Sequence, residues 1–333
     1  MTLEIIAELA QGFEGKPEQA FLLMHAAASA GATAVKYQLV FANELATPDY
    51  KYYELFKSLE MPDKVWEDLS DLAKKLKINL QLDIFGSHSL KIAERLKVSA
   101  IKLHGTDIAN LGLLEEVSQS SIRKILLGAG GAHFDELKRA INILSEKEVV
   151  VLLGFQGYPT PNNSNEVSRV SFLKKYFLEN CPNVRIGFAD HASPESTLRF
   201  ALAAMAVGAG AEVIEKHLTL GRIMKLEDHE SALNPDEFFE FSNTIKECAL
   251  ALGNSTLAED FGMSESEKVY RKMIRRHVVA AIRLNTGDQL QPSQLILKRT
   301  SAENPVTELS SIYNKIIKSA IECNSPVLLK DIE

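Results

Sequence analysis

The sequence predicts an α/β protein, a TIM (β/α)8 barrel followed by a small β-rich C-terminal domain. Three observations predict it. Short apolar runs of strand length alternate with longer segments of helical period, and the alternation repeats eight times. It then stops near Leu252, close to the roughly 250 residues that such a barrel needs.

In order, the strand Ile5-Ile6-Ala7 precedes a helix over Pro17–Ala30, and Ala34–Gln38 precedes, after a loop, a helix over Pro62–Lys77. Asn79–Asp83 pairs with the helix Ser87–Leu96, Ala100–Leu103 with Leu111–Gln119, and Ile125–Leu127 with Phe134–Lys147. Val149–Gly154 precedes Val167–Asn180, Val184–Phe188 precedes Ser196–Val207, and Val213-Ile214 precedes Pro235–Leu252. A doubly wound open sheet is the alternative. It would place a GxGxxG turn after the first strand, where this chain has Glu8-Leu9-Ala10-Gln11-Gly12-Phe13-Glu14-Gly15. The resulting domains are a barrel over 1–262, a polar linker over 263–275, and a β-rich module over 276–333 with short strands in Val278–Ile282 and Leu295–Leu297.

Hydrophobic residues make up 46% of the chain and charged residues 24%, the balance of an ordinary globular protein. A net charge of −7 speaks against a nucleic-acid or anionic-membrane partner. The N-terminus shows no export signal, and no apolar run reaches the roughly 18 residues of a membrane helix. The 3 cysteines show no CxxC spacing and read as inert buried thiols, so a reducing cytoplasm is expected.

In a barrel the chemistry sits where strands run out into the following loops. Strands seven and eight end in Ala189-Asp190-His191 and Glu215-Lys216-His217, which places two imidazoles beside acids on one rim. Either histidine alone would read as a hydrogen-bonded loop residue; the pair reads as a divalent metal site able to polarise a carbonyl. Lys36 and Lys102 fall inside strands and point to the barrel mouth. They suit an anionic substrate, an ion pair with Glu8 or Asp107, or Schiff-base chemistry. Gly128-Ala129-Gly130-Gly131 leads into a helix and reads equally as an anion cradle or a tight turn. Gln38, Asp83, Gln156, Tyr158 and the Asp228-His229 loop complete the polar rim.

This ordered set resembles the N-acetylneuraminate (sialic acid) synthase family over essentially the whole chain. The resemblance is carried by Ala7-Glu8-Leu9, Gly31–Gln38, Tyr158-Pro159-Thr160-Pro161, Ile186–His191, Val207-Gly208-Ala209 and Ile214–His217, with Leu297-Lys298-Arg299 near the end. It implies condensation of phosphoenolpyruvate with an acylamino-hexose aldehyde, with phosphate release. It also implies an antifreeze-like (SAF-type) C-terminal domain that reaches over the partner's site in a domain-swapped homodimer. By motif position Glu8 matches the essential acid, and His191 and His217 match ligands of manganese, magnesium and cobalt being the alternatives. Lys36, Gln38 and Lys102 match phosphoenolpyruvate contacts; Tyr158, Asp107 and Asp228 match acylamino-sugar contacts; Arg299 matches an arginine donated in trans. Asp190 and Glu215, beside the histidines, join Asp83, Gly128 and Gln156 as expected substrate contacts.

The chain departs from the family pattern at Gly12-Phe13, Asp83, Gly105, Gly128-Ala129-Gly130, Phe155-Gln156 and Ala189, positions where the family carries hydroxyls and amides. The usual phosphoenolpyruvate site is therefore expected to be altered. The alternatives are an aldolase-like paralogue using pyruvate or another 2-oxo acid, and a non-catalytic sugar-acid binding protein.

Overall fold

The computed structural model describes residues 3–105, 107–154, 157–253 and 261–333. The chain divides into two compact units, residues 1–253 and 254–333. In the first, eight strands close into a barrel in sequence order. These are β1 (Glu4–Ala10), β2 (Ala34–Gln38), β3 (Asn79–Asp83), β4 (Ala100–Leu103), β5 (Lys124–Gly128), β6 (Glu148–Gly154), β7 (Val184–Asp190) and β8 (Val213–His217). All neighbouring pairs are parallel and β8 pairs with β1, which rules out the open sheet.

One long helix follows each strand: α1 (Pro17–Ser29), α2 (Asp63–Leu76), α3 (Ser87–Leu96), α4 (Leu111–Gln119), α5 (Phe134–Ile143), α6 (Ser168–Asn180), α7 (Ala201–Gly208) and α8 (Pro235–Leu252). Proline at the first position starts α1 and α8, where a missing N–H costs nothing. Lys77 and Lys97 close α2 and α3 in the left-handed conformation. The helix expected from Ser196 begins only at Ala201. Ser193 and Ser196 accept hydrogen bonds from the backbone N–H groups of Glu195 and Leu198, holding that segment in turns instead.

Strand alternation sorts the side chains into two compartments. On β2, Val35 and Tyr37 face the helices, and Tyr37 donates a 2.6 Å hydrogen bond to the Ala20 carbonyl while meeting Trp66 edge to face. Inside the barrel, Ile6, Ala34, Ala100, Leu126, Val150, Leu152 and Val213 form a dry layer. Below it Glu4 holds Gln81 and Lys124, and above it lies the layer of charge described next.

In the second unit β9 (His277–Ala280) pairs antiparallel with β10 (Leu295–Lys298) over its own core, which includes Val278, Leu284, Leu290, Ile317 and Val327. The segment read as a polar linker carries helix α9 (Glu265–Ile274). Ser264 accepts from the Glu267 N–H and Glu267 accepts from the Ser264 N–H, a capping box already spelled out in the sequence. The cysteines are less enclosed than expected: Cys181 and Cys248 are half-buried and Cys323 is exposed.

Candidate active site

Five ionisable side chains fill the layer nearest the barrel mouth: Glu8, Lys36, Asp83, Lys102 and Glu215, each at most 9% exposed. Their register makes this unavoidable, since Glu8 stands beside Lys36 and Asp83 beside Lys102 on adjacent strands. Lys36 Nζ contacts Glu8 Oε2, lies 2.7 Å from Asp83 Oδ1 and 3.5 Å from Glu215 Oε2. Lys102 Nζ lies 2.7 Å from Glu215 Oε1. Glu8 is held from behind as well: β1 bulges after it, and its second oxygen accepts the Ala10 N–H at 2.7 Å. The ion-pair reading of the lysines is thus the one observed, and it is built from acids on three different strands.

The charges tune one another. Burial opposes ionisation of Asp83, but Lys36, Lys102 and His104 outweigh it and hold the carboxyl well below its usual range. Glu215 is lowered in the same way by Lys102 and Lys36 against the cost of burial. Burial pulls Lys36 below its ordinary value even with Asp83 and Glu215 beside it. For Lys102 burial loses to Glu215 and Asp83, and its ammonium is stabilised above the ordinary lysine value.

Above this layer opens a cavity of about 410 Å³ lined by Lys102, His104, Tyr158 and His191 and by a wall of five glycines. The wall is a matter of close approach between loops. A Cβ on Gly105 would sit 2.1 Å from the Gly130 carbonyl oxygen, and one on Gly128 would sit 3.1 Å from the Gly105 nitrogen. Opposite stand the aromatic rings: His191 and His217 centroids are 5.2 Å apart, and Tyr158 packs edge-on against both, at 4.8 and 5.7 Å. Burial keeps both imidazoles neutral, pulling His191 down to about 3 and His217 well below its ordinary value.

Residues 23–256 match the sequence profile of the NeuB family. The chain belongs to the NeuB family. It is 26% identical to N,N'-diacetyllegionaminic acid synthase of Legionella pneumophila over 354 residues, covering 100% of this chain and 95% of that protein. It is 23% identical to N-acetylneuraminate-9-phosphate synthase of Mus musculus over 345 residues, covering 99% and 92%. Among crystal structures, N-acetylneuraminic acid synthetase of Leptospira borgpetersenii in complex with citrate superimposes with a TM-score of 0.73 at 26% identity, covering 82% of this chain and 92% of that one. The resemblance read from the ordered motifs is borne out.

Of the residues expected at the site of this NeuB-family chain, Lys102, Gly128, Tyr158 and His191 line the cavity. Glu8, Lys36, Asp83 and Glu215 lie in the charged layer. His217 stands beside His191, and Asp228 Oδ2 approaches His217 Nδ1 at 3.7 Å. Burial, with Glu227 and Glu230 adding to it, lifts the Asp228 carboxyl to about 7. Asp107 is half-buried in the turn after β4, its N–H bonded to the His104 carbonyl. Gln38 accepts a 2.7 Å hydrogen bond from Gln11 at the end of β2. Asp190 leaves β7 on the side away from the barrel interior, where it takes Lys216 at 3.2 Å and the Ala192 N–H at 2.8 Å. Arg299 is exposed in the second unit and donates to the Ile274 carbonyl. Gln156 lies outside the described residues.

Two participants, His104 and Lys216, stand among the polar strand ends of the sequence but carried no expected role. His104 lines the cavity with Nε2 2.8 Å from Asp83 Oδ2, a pairing foreshadowed only by its place two residues after Lys102. Lys216 is fully buried and holds Asp190 and the Ala192 carbonyl.

The two neutral imidazoles meet the first requirement of a metal ligand, an unprotonated nitrogen. Among the described residues no group of three or more His, Cys, Asp or Glu side chains comes together as a ligand set. His191 and His217, with ring centroids 5.2 Å apart, are the two imidazoles from which a metal site here would be built.

Proposed function

We propose that this chain is a nonulosonic acid synthase that condenses phosphoenolpyruvate with an acylamino-hexose aldehyde and releases phosphate. What carries the reading is one cavity lined both by His191, whose ring stands 5.2 Å from that of His217, and by a lysine whose ammonium form is stabilised. The relatives named above, an N,N'-diacetyllegionaminic acid synthase and an N-acetylneuraminate-9-phosphate synthase, support it.

A divalent ion, manganese by the resemblance, would be held by His191 and His217, and when bound it would supply Lewis-acid polarisation of the sugar aldehyde. The chain's own groups do the rest. Lys102 binds the donor carboxylate or phosphate, and Tyr158 packs against the histidines to wall the acceptor side. Carbon 3 of the donor bonds to the aldehyde carbon, water adds at carbon 2, and phosphate leaves. Glu8, fixed by Lys36 and the Ala10 N–H, presents its carboxylate to that water from below.

The altered glycine wall raises the alternative of a 2-oxo acid donor bound through a Schiff base. That chemistry needs a neutral amine with access to substrate. Lys102, which lines the cavity, is held charged; Lys36, whose value is lowered, is fully enclosed beneath it. Phosphoenolpyruvate as donor fits these lysines better. In the same reading the C-terminal unit is an antifreeze-like domain that offers Arg299 to the partner's cavity in a swapped homodimer.

The test is purified protein with manganese, phosphoenolpyruvate and a panel of acylamino hexoses. Phosphate release that depends on one of the sugars is expected. Borohydride trapping of a lysine adduct with pyruvate, and no phosphate release with any sugar, would replace this reading with the aldolase-like one.

A further inference from the structure

The cavity contains an acid–base pair that the reaction above leaves unused. His104 Nε2 lies 2.8 Å from Asp83 Oδ2, and the other oxygen of Asp83 is fixed by Lys36 at 2.7 Å. Because Asp83 is ionised it can only accept, so Nε2 carries the proton and the tautomer is set. That leaves Nδ1 as the nitrogen that can take up and give back a proton. The ring is further held by Phe85, stacked at 5.5 Å and 30°. Its side chain is 34% exposed and lines the cavity, whereas Asp83 behind it is completely enclosed. This is the geometry of a base oriented by a buried carboxylate.

The position within the cavity says which reactant it meets. Of the four side chains with polar chemistry on the lining, Tyr158 and His191 pack together on one side. Lys102 and His104 come from β4 and the turn after it, next to Gly105 and to Gly128 of β5. Among the described residues, a compact anion beside them would meet an ammonium, an imidazole and the glycine backbone. Among the described residues, the titratable groups around His104 are Asp83 from β3 and Lys102 from β4, with Tyr158 and His191 also on the cavity lining.

We propose that His104, oriented by Asp83, is a catalytic residue that protonates the departing phosphate. The inference rests on the condensation described above. After water has added at carbon 2, the imidazolium gives its Nδ1 proton to the bridging oxygen as the bond from carbon 2 to that oxygen breaks. The electron pair leaves with the phosphate. The hydroxyl at carbon 2 loses its proton to solvent water and becomes the 2-oxo carbonyl. Solvent then returns a proton to Nδ1, and no other reactant is needed.

The experiment compares wild type, His104→Gln and His104→Ala for phosphate release against pH, with manganese and the sugar that wild type uses. A lost general acid should lower kcat about 100-fold. The sugar KM should stay at its wild-type value, and the fall of wild-type kcat at high pH should be absent from His104→Gln. Added imidazole should restore release to His104→Ala; if that variant melts below the assay temperature, the pH profile of His104→Gln decides. Wild-type kcat in His104→Gln at every pH would overturn the proposal. So would a reduced kcat with an unchanged pH profile and no response to imidazole. Absence of phosphate release from wild type itself removes the condensation reading and this inference with it, whereas turnover by wild type that His104→Gln retains overturns the inference alone.

Discussion

Lys36 Nζ lies 2.7 Å from Asp83 Oδ1 with neither side chain reaching solvent. Glu8 and Glu215 also reach Lys36, so one cation answers three carboxylates inside the barrel. Replacing Lys36 by Met leaves those acids against one another in a medium that penalises charge. Breaking such a buried arrangement costs about 3–5 kcal/mol. Urea unfolding of Lys36→Met should show a loss of that size. Adding Asp83→Asn removes one of the stranded charges, so the double variant should be more stable than the sum of the single effects predicts.

Asp83 also sets a direction for acid stability. Its ordinary value is 3.8, and in the fold Lys36, Lys102 and His104 hold it lower despite the opposing effect of burial. A carboxyl lowered by folding contributes stability that is present above its unfolded value and lost as pH falls below it. Wild type should therefore lose stability steeply below about pH 4. Asp83→Asn, less stable at neutral pH, should show a flatter acid limb in melting temperature. An acid limb as steep as wild type would place the acid sensitivity on other carboxylates.

Lys102 differs from Lys36 in reaching the cavity while bonded to Glu215 at 2.7 Å. Removing it should weaken donor binding by a charge-assisted hydrogen bond of about 1.5–3 kcal/mol, a rise of roughly 10- to 150-fold in the donor KM. The sugar KM should move far less in Lys102→Gln. Initial-rate kinetics with each substrate varied in turn separates the two.

The glycine wall yields a paired prediction. A Cβ at Gly105 meets the Gly130 oxygen at 2.1 Å, whereas one at Gly131 meets nothing within 4 Å. Gly105→Ala must push two loops apart and should cost about 1–3 kcal/mol while distorting the cavity. At Gly131 the only penalty comes from its φ of +77°, about 1–2 kcal/mol, with the cavity left in place. Melting temperatures would report both costs, and donor KM should change chiefly in Gly105→Ala.

The barrel was legible because its strands and helices differ in period and because that alternation repeats eight times before it stops near Leu252. The two histidines were legible for the same reason, since each falls three residues past an apolar run, Val184–Phe188 and Val213-Ile214. Side-chain partners across the barrel were not. Whether Lys102 would meet Asp107, as its neighbour in sequence, or Glu215, more than a hundred residues on, depends on closure of the sheet and the inward face of β8. Asp190 shows the same limit from the other side: it stands beside His191 in sequence, yet strand alternation sends it to Lys216 outside the barrel interior. The wall at Gly105 and Gly130 needed the actual distance between two loops.

The rings of His191 and His217, 5.2 Å apart and both kept neutral by burial, set the last prediction. If they share a divalent ion, chelation should abolish phosphate release and manganese should restore it. Replacing either ring by Ala should lower manganese affinity by 10-fold or more, since the protein supplies so few ligands that neither can be spared. Electron paramagnetic resonance of titrated manganese reports that affinity without any turnover. It would show the free-ion signal persisting in His191→Ala and His217→Ala at concentrations where wild type has bound the metal. Equal affinity in all three proteins would place the ion elsewhere and leave the two histidines as packing partners of Tyr158.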